Sequence, residues 1–210
     1  MVSESKNSQI GDEQILAERV VAQHSQKHSI LNDISIDGEV FEFSSHEISF
    51  PSLPEYEFSM ILPKDAKPLA LEYAKIKYPS ENRPEIILSN DSTTLNITFS
   101  YAFDVIGDYK TRLTQYKAFF KRLNPSYVFL SEGIISLNSN ISVAYFDLCG
   151  AILDGDIYNM YFFSDFPITP QIELFSVLSC PYHLYGEWNP LFLQMIETIK
   201  PKLTNGLTHN

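Results

Sequence analysis

Alternating apolar and polar side chains mark residues 93–101 as a β-strand with one covered face. One set is Thr93, Leu95, Ile97, Phe99 and Tyr101, and the other is Thr94, Asn96, Thr98 and Ser100. A period of two with one polar face predicts a strand that is buried on one side and wetter on the other. Residues 85–89 supply a second strand and Asn90-Asp91-Ser92 the turn, so this stretch predicts a hairpin.

Residues 109–123 carry the most regular helical pattern. One stripe of a 3.6-residue period is formed by Tyr109, Leu113, Tyr116, Phe120 and Leu123. Because the residue before a proline avoids the helical region, Asn124-Pro125 ends this helix.

Two further helices are predicted. The first covers about 66–78, with Asp65 as its cap and Pro79 after it. The second is C-terminal and has Pro190 in its first turn. Its apolar face is made of Trp188, Phe192, Met195, Ile199 and Leu203.

The remaining strands define the fold class. Short strands are predicted at 39–43, 47–50 and 56–62, and a four-strand meander at about 127–136, 140–150, 156–164 and 171–180. Asp154-Gly155 is a strong hairpin signal within the meander. Consecutive hairpins predict an antiparallel sheet, and the three amphipathic helices must cover it, so the predicted fold class is α+β.

The first 36 residues differ from the rest of the chain. They contain no Phe, Tyr or Trp and are rich in Ser, Gln, Asn and charge. Such a segment rarely folds alone. We therefore expect a flexible arm with a short helix over 1–36, a single domain over 37–203 and a disordered tail over 204–210.

Composition and charge exclude several classes of function. The hydrophobic fraction of 44% is enough for a sizeable core. The net charge of −11 argues against partners such as nucleic acid or an anionic membrane, which need a concentrated cationic surface. The opening MVSESKNSQIGDEQIL lacks the apolar core of a secretory signal, so the expected location is cytoplasmic.

Five basic residues fall on the helix predicted over 109–123, namely Lys110, Arg112, Lys117, Lys121 and Arg122. On an acidic protein they could form a docking face for an acidic partner or a phosphate. The alternative is a solvated helix face whose long side chains cover apolar surface.

Arg83 and a group of aromatic residues are further candidates for binding. Arg83 precedes Pro84 in a loop that could present its guanidinium to a carboxylate. The alternative is that Arg83 pairs with Glu81, with Glu85 or with a meander aspartate and locks the loop. The aromatic group comprises Tyr182, His183, Tyr185 and Trp188. These residues suit a pocket wall or an interface, and equally the closed end of a sandwich.

Acidic and histidine residues give weaker signals of chemistry. Carboxylates gather around the meander and before the long helix, at Asp104, Asp108, Asp147, Asp154, Asp156 and Asp165. They could bind a divalent cation or act as acid and base, but tight turns also select Asp and Gly. His24 and His28 have the spacing of the two zinc ligands in an HExxH motif. The glutamate of that motif is missing, and no third ligand lies nearby in the sequence. No metal or cofactor is predicted.

Three stretches carry a resemblance to a known family. They are residues 74–84 (AKIKYPSENRP), residues 153–160 (LDGDIYNM), and the C-terminal segments 179–181, 187–190 and 195–200. Over about 38–202 the chain resembles uncharacterised bacterial cytosolic proteins of the PsbP-like α/β/α sandwich superfamily, which also holds extrinsic photosystem subunits and a Ran-binding nuclear import factor. The resemblance implies a sheet between helical layers and a binding or assembly role. It transfers no site residue.

No GxSxG elbow and no Walker loop occur in the sequence. We therefore expect a non-enzymatic protein-binding or accessory domain, for example an immunity protein that neutralises its partner. A sheet edge, the basic helix or the 182–188 junction would provide the contact. The alternative is a small-molecule or metal-dependent enzyme that uses the meander carboxylates, with Arg83 orienting an anionic substrate. A third option is a homodimer through a sheet edge.

Overall fold

The computed structural model describes residues 28–103, 105–138, 140–152, 155–165 and 172–202. The short helix expected early in the arm, Asp154 of the hairpin turn and the 204–210 tail lie outside these residues.

Strands outnumber helices along the described chain. The strands are β1 (Ile34–Ile36), β2 (Glu39–Phe41), β3 (Phe43–Phe50), β4 (Leu53–Pro63), β5 (Lys67–Pro68), β6 (Ile86–Ser89), β7 (Asn96–Phe103), β8 (Val128–Asn138), β9 (Ile141–Ile152), β10 (Gly155–Asp165), β11 (Ile172–Pro181) and β12 (Lys200–Lys202). The helices are α1 (Leu71–Lys77), α2 (Tyr109–Leu123) and α3 (Tyr185–Glu197), the last preceded by a 3-10 turn at Tyr182–Leu184.

A seven-stranded sheet forms the centre of the fold, in the order β5-β6-β7-β11-β10-β9-β8. All neighbouring strands in it are antiparallel. A three-stranded sheet, β12-β4-β3, and the hairpin β1-β2 complete the strand pairing. The predicted meander and hairpin are confirmed as antiparallel strand pairs, because turns and alternation are local signals. The wetter face predicted for residues 93–101 is wrong, since Asn96 and Thr98 of the polar set are buried.

The two faces of the seven-stranded sheet are covered differently. On the α2 face, Leu113 packs against a cluster that contains Phe146, Tyr161 and Phe163. On the opposite face, which we call the α3 face, Met160 and Phe162 belong to the main core with residues of α3 and β4. Side chains of one strand therefore enter two different cores, as the alternation of a strand requires.

The predicted fold class is wrong. Strands hold more than twice as many residues as helices, and helices do not flank both faces in an α/β/α sandwich. On the α3 face, α3 shares the covering role with β4, whose side chains Phe58, Met60 and Leu62 are buried in the main core. The physical reason is that β4 pairs with β3 on one side and with β12 on the other, so the three strands form a second sheet.

The first predicted helix is shorter than its pattern indicated. α1 begins at Leu71 after Ala70, which provides no side-chain cap, so Asp65 is not the cap residue. Lys67 and Pro68 pair with β6 instead. Most of the apolar side chains of α1 are exposed, namely Leu71, Tyr73 and Ile76. This helix therefore contributes little to the core.

The C-terminal helix is also displaced along the chain from its predicted position. It begins at Tyr185, which puts Pro190 inside the helix, and it ends at Glu197. Ile199 is buried beyond the helix, and the chain continues as β12. No helix of the described residues is long and apolar enough to cross a membrane.

The core begins earlier along the chain than the expected domain boundary at residue 37. Ile30, Ile34 and Ile36 are all buried in the main core. The hairpin β1-β2 turns through Asp37 and Gly38, both with positive φ, which glycine and aspartate accept more readily than other residues.

Gly150 is the position where the sheet most clearly requires glycine. A Cβ atom there would overlap the ring of Tyr127. We expect Gly150→Ala to lower the free energy of unfolding by about 1–3 kcal/mol, because the aromatic ring must shift. Ser136→Ala, at an exposed position of the same sheet, is the control. Equal denaturant midpoints for the two variants would contradict this expectation.

Candidate binding groove

α2 is a well-defined helix because both of its ends are fixed locally. The Asp108 side chain accepts a hydrogen bond from the backbone N–H of Thr111 at 2.8 Å. The Thr111 hydroxyl and this backbone N–H together lower the pKa of Asp108. The helix ends at Leu123, and the backbone N–H of Asn124 bonds to the carbonyl of Phe120. The sequence between these ends contains no acidic residue, so all the charges of α2 are positive.

A buried ionic cluster fixes α2 to the sheet. The guanidinium of Arg112 binds both carboxylate oxygens of Asp165 at 2.6 Å, and its Nη1 lies 2.5 Å from Oε2 of Glu173. The Arg112 side chain is 3% exposed and that of Glu173 is 0% exposed. Asp165 and Glu173 are direct cross-strand partners in β10 and β11. One arginine thus binds two strands at once.

The titration behaviour of this cluster follows from its burial. Burial raises the pKa of Glu173, and the hydrogen bond from Tyr116 and the charge of Arg112 oppose that shift. Burial lowers the pKa of Arg112, but the bond to Asp165 and the two carboxylate charges leave it above its ordinary value. Burial and Glu173 also raise the pKa of Tyr116, whose hydroxyl therefore stays a donor to Glu173.

A groove of about 550 Å³ lies beside this cluster, between α2 and the β7–β11 part of the sheet. Its lining is mostly apolar and aromatic: Ser100, Tyr101, Ala102, Gln115, Tyr116, Phe119, Phe120, Arg122 and Phe175. Phe119 is 46% exposed, and Arg122 supplies the charge of the lining. This volume is in the range of binding pockets.

The basic residues predicted on this helix have different environments. Arg112 is buried in the ionic cluster, and Lys117 pairs with Glu132 at 2.5 Å. Lys121 donates to the backbone carbonyl of Tyr127 at 2.8 Å. Lys110 and Arg122 form no ion pair with the described residues. The five basic residues therefore do not form one uniform basic face. Three of them make contacts within the fold, whereas Lys110 and Arg122 form no ion pair within the described chain.

The other predicted binding residues do not join this groove. Arg83 is half-buried and its Nε donates to the carbonyl of Ser80 at 3.2 Å, while Glu85 binds Ser52. Tyr185 and Trp188 are buried in the main core, where Trp188 packs edge-on against Phe41.

The remaining two residues of the aromatic junction lie nearer the surface. Tyr182 is half-buried against Tyr185, with ring centroids 5.9 Å apart. The His183 side chain is 69% exposed and lies 3.8 Å from a carboxylate oxygen of Asp37. The junction thus contains two core residues and two peripheral ones.

The meander carboxylates do not converge in the described part of the chain. Asp156 is exposed, Asp165 belongs to the Arg112 cluster, and Asp147 is buried on the α3 face. No hydrogen bond or ion pair that involves described residues joins Arg83 to any of these three. His24 lies outside the described residues, and His28 binds Glu187 at 2.6 Å. No group of three metal-ligating side chains occurs within the described ranges.

Asp147 anchors α3 to the sheet. Its Oδ2 accepts hydrogen bonds from Tyr158 and from the side-chain amide of Asn189, both at 2.9 Å. Its Oδ1 accepts the backbone N–H of Ser131, at a bulge in β8. Burial raises the pKa of Asp147 to about 6, and these hydrogen bonds limit the shift.

Several residues of the groove and of the adjacent ionic cluster were not predicted as site residues from the sequence: Tyr116, Phe119, Phe175 and Glu173. Two signals were available. Glu173 is a charged residue inside the apolar strand that begins at Ile172, and such a charge needs a buried partner. Phe119 is aromatic but lies off the apolar stripe of its helix, which points to an exposed aromatic side chain.

Removal of the arginine should be costly for stability. In Arg112→Met, Glu173 stays fully buried without a cation, and we expect the free energy of unfolding to fall by about 3–5 kcal/mol. The double variant Arg112→Met/Glu173→Gln should have a free energy of unfolding at least about 1 kcal/mol higher than Arg112→Met, because it no longer buries the glutamate charge. Urea unfolding measures both. Lys110→Met is the control on the same helix, and a loss in Arg112→Met no larger than in this control would contradict the role of the cluster.

The raised pKa of Asp147 predicts a pH dependence of stability. Between about pH 4 and 6 the unfolded chain has lost this proton while the folded chain keeps it, so the free energy of unfolding falls as pH rises. The fall is on the order of 3 kcal/mol, at 1.36 kcal/mol per pKa unit. Asp147→Asn should lack this component, and the exposed control Asp156→Asn should keep it. Urea unfolding across this pH range measures the free energy of unfolding of each variant. If it changes with pH in parallel for the wild type and Asp147→Asn, the raised pKa of Asp147 is refuted.

Comparison with known proteins identifies the fold. The chain is similar to the solution structure of cyanobacterial PsbP (CyanoP) from Synechocystis sp. PCC 6803, with a TM-score of 0.53 and 7% sequence identity. The match covers 80% of this chain and 98% of that one. No protein-family model matches the sequence, and no curated protein does. At this identity the likeness concerns the fold alone, so the chain has a PsbP-like fold.

Proposed function

We propose that this chain is a protein-binding domain, and that the α2 groove binds an apolar segment of a partner protein that also carries acidic side chains. The observation that carries the proposal is an aromatic groove with a cation in its lining, on a protein whose net charge is −11. An accessory protein of the immunity type, which neutralises its partner, is one form of this function.

The apolar part of the groove supports binding of a protein side chain. Tyr116, Phe120 and Phe175 pack against the cluster beneath α2, and Phe119 is the exposed aromatic residue among the lining. Large aromatic side chains at the edge of a pocket are typical anchors of protein interfaces, since they bury much area at little cost in conformational entropy.

The charges around the groove favour an acidic partner. The charges of Arg112 and Lys117 are balanced by carboxylates. Arg122, the charged residue of the groove lining, has no carboxylate within ion-pair distance among the described residues. Lys110 and Lys121 also lack one within the described chain, but they lie on α2 outside the lining. Cations that remain unneutralised on one helix of an acidic protein attract acidic segments and repel basic ones.

The groove is held in shape before a partner arrives. The Tyr116 hydroxyl is bound to Glu173, and the guanidinium of Arg112 lies 4.6 Å from the ring centre of Tyr109. A wall that is already fixed loses little conformational entropy on binding.

A peptide library displayed on phage and selected on the immobilised full chain tests this function. We expect enriched peptides that combine an aromatic or large aliphatic residue with Asp or Glu. Phe119→Ala should weaken their binding by about tenfold, the cost typical of an interface anchor. Arg122→Glu should weaken it further and reduce its dependence on salt. Calorimetry with the synthetic peptides gives the dissociation constants.

Tyr73→Ala is the matched control, because Tyr73 is an exposed aromatic residue on α1, outside the groove. Binding to this variant should equal that of the wild type. Enriched peptides that are basic, or that bind Phe119→Ala and Arg122→Glu as tightly as the wild type, would exclude the α2 groove as the binding site.

A further inference from the structure

We propose that two copies of this chain associate through β8, the outermost strand of the seven-stranded sheet, so that their sheets join edge to edge. Within the described residues, β8 pairs with β9 on one side and with no strand on the other. The proposal concerns a different surface from the α2 groove and does not depend on it.

The edges of the sheets in this protein are unequally protected against pairing. At the other edge of the seven-stranded sheet, β5 consists of Lys67 and Pro68 alone. In the three-stranded sheet, β12 contains two lysines and a proline. The other edge strand of that sheet, β3, has neither, but its Glu47 forms an ion pair with Lys202. Short length, lysine and proline are the usual devices that prevent edge pairing. β8 has 11 residues and contains neither lysine nor proline.

The half of β8 after its bulge is suited to pairing. The bulge lies between Phe129 and Glu132, and the N–H of Ser131 there is bound to Asp147. From Glu132 to Asn138 the sequence is EGIISLN, whose one charged residue is Glu132. Lys117 neutralises that carboxylate at 2.5 Å. A second copy therefore brings no unbalanced charge to this edge, despite the net charge of −11 on each chain.

An antiparallel pairing of two copies centred on Ile135 is self-complementary. Ile135 lies opposite its own counterpart, Ile134 opposite Ser136, and Glu132 opposite Asn138. The two glutamates are therefore not opposite each other, where like charges would repel. Ile134, which is 51% exposed, gains a neighbour across the interface.

Gly133 in this pairing lies opposite Leu137 of the second copy. The ring of Tyr145 fills the space above Gly133, where a Cβ atom would lie 2.7 Å from it. Leu137 would therefore meet an aromatic ring rather than a gap, which is a favourable cross-strand contact. Seven residues span about 23 Å at the rise of a strand, so the interface is small and we expect a dissociation constant in the micromolar range.

Two charge-reversed double variants test this pairing. In Ile134→Lys/Ser136→Lys, each new lysine would face a lysine of the second copy, and in Ile134→Glu/Ser136→Glu each glutamate would face a glutamate. Each variant alone should dimerise at least about tenfold more weakly than the wild type, since cross-strand repulsion replaces a neutral contact. An equimolar mixture of the two should recover the dimer. Sedimentation velocity of the full chain over micromolar to submillimolar concentrations gives the mass.

The control is Ser45→Lys/Ser49→Lys on β3, the edge of the other sheet, which should leave the wild-type mass unchanged. Both serines are exposed, like Ser136. A wild-type chain that stays monomeric throughout would overturn the proposal. A dimer that both variants form as readily as the wild type, or that only the β3 control weakens, would overturn it as well.

Discussion

The constraint on which this fold depends is the burial of the central strands on both faces. Seven consecutive residues of β10, from Tyr158 to Ser164, are buried. Tyr161 and Phe163 require cover on one face, and Met160 and Phe162 require it on the other. The chain supplies α2 to the first face, and α3 with the three-stranded sheet to the second. Two separate apolar clusters result, and the strand between them contributes to both.

Each covering layer is fixed to the sheet by one buried carboxylate network. On the α2 face, Glu173 and Asp165 hold an arginine of the helix. On the α3 face, Asp147 has no basic partner among the described residues, and its hydrogen bonds come from Tyr158, Asn189 and a backbone N–H. Burial raises the pKa of both Asp147 and Glu173. Such networks add little net stability, but they fix the position of a helix over a sheet because a displaced partner leaves a buried charge unpaired.

The same constraint decides which surfaces remain for binding. With the middle of both faces covered, partners can reach the borders of the layers and the edges of the sheets. The groove beside α2 is such a border, because α2 packs over β9 and β10 and leaves the β7 side of that face open. The outer side of β8 is such an edge. The PsbP-like fold fixes this arrangement of layers, and the residues at the border and the edge are particular to this chain.

The sequence by itself determined the elements whose signals are local. The helix at Tyr109–Leu123, the hairpin β6-β7 and the four strands β8–β11 follow from periodicity, turn residues and the proline after the helix, all within a few neighbouring positions. The tertiary structure alone decided which layers cover the sheet and where α1 begins, since these depend on the pairing of β4 with the distant β12 and of β5 with β6. It also decided that Arg112 is buried rather than solvated. The partners of Arg112 lie 53 and 61 residues further along the chain, and only the register between β10 and β11 brings those two carboxylates together beneath it.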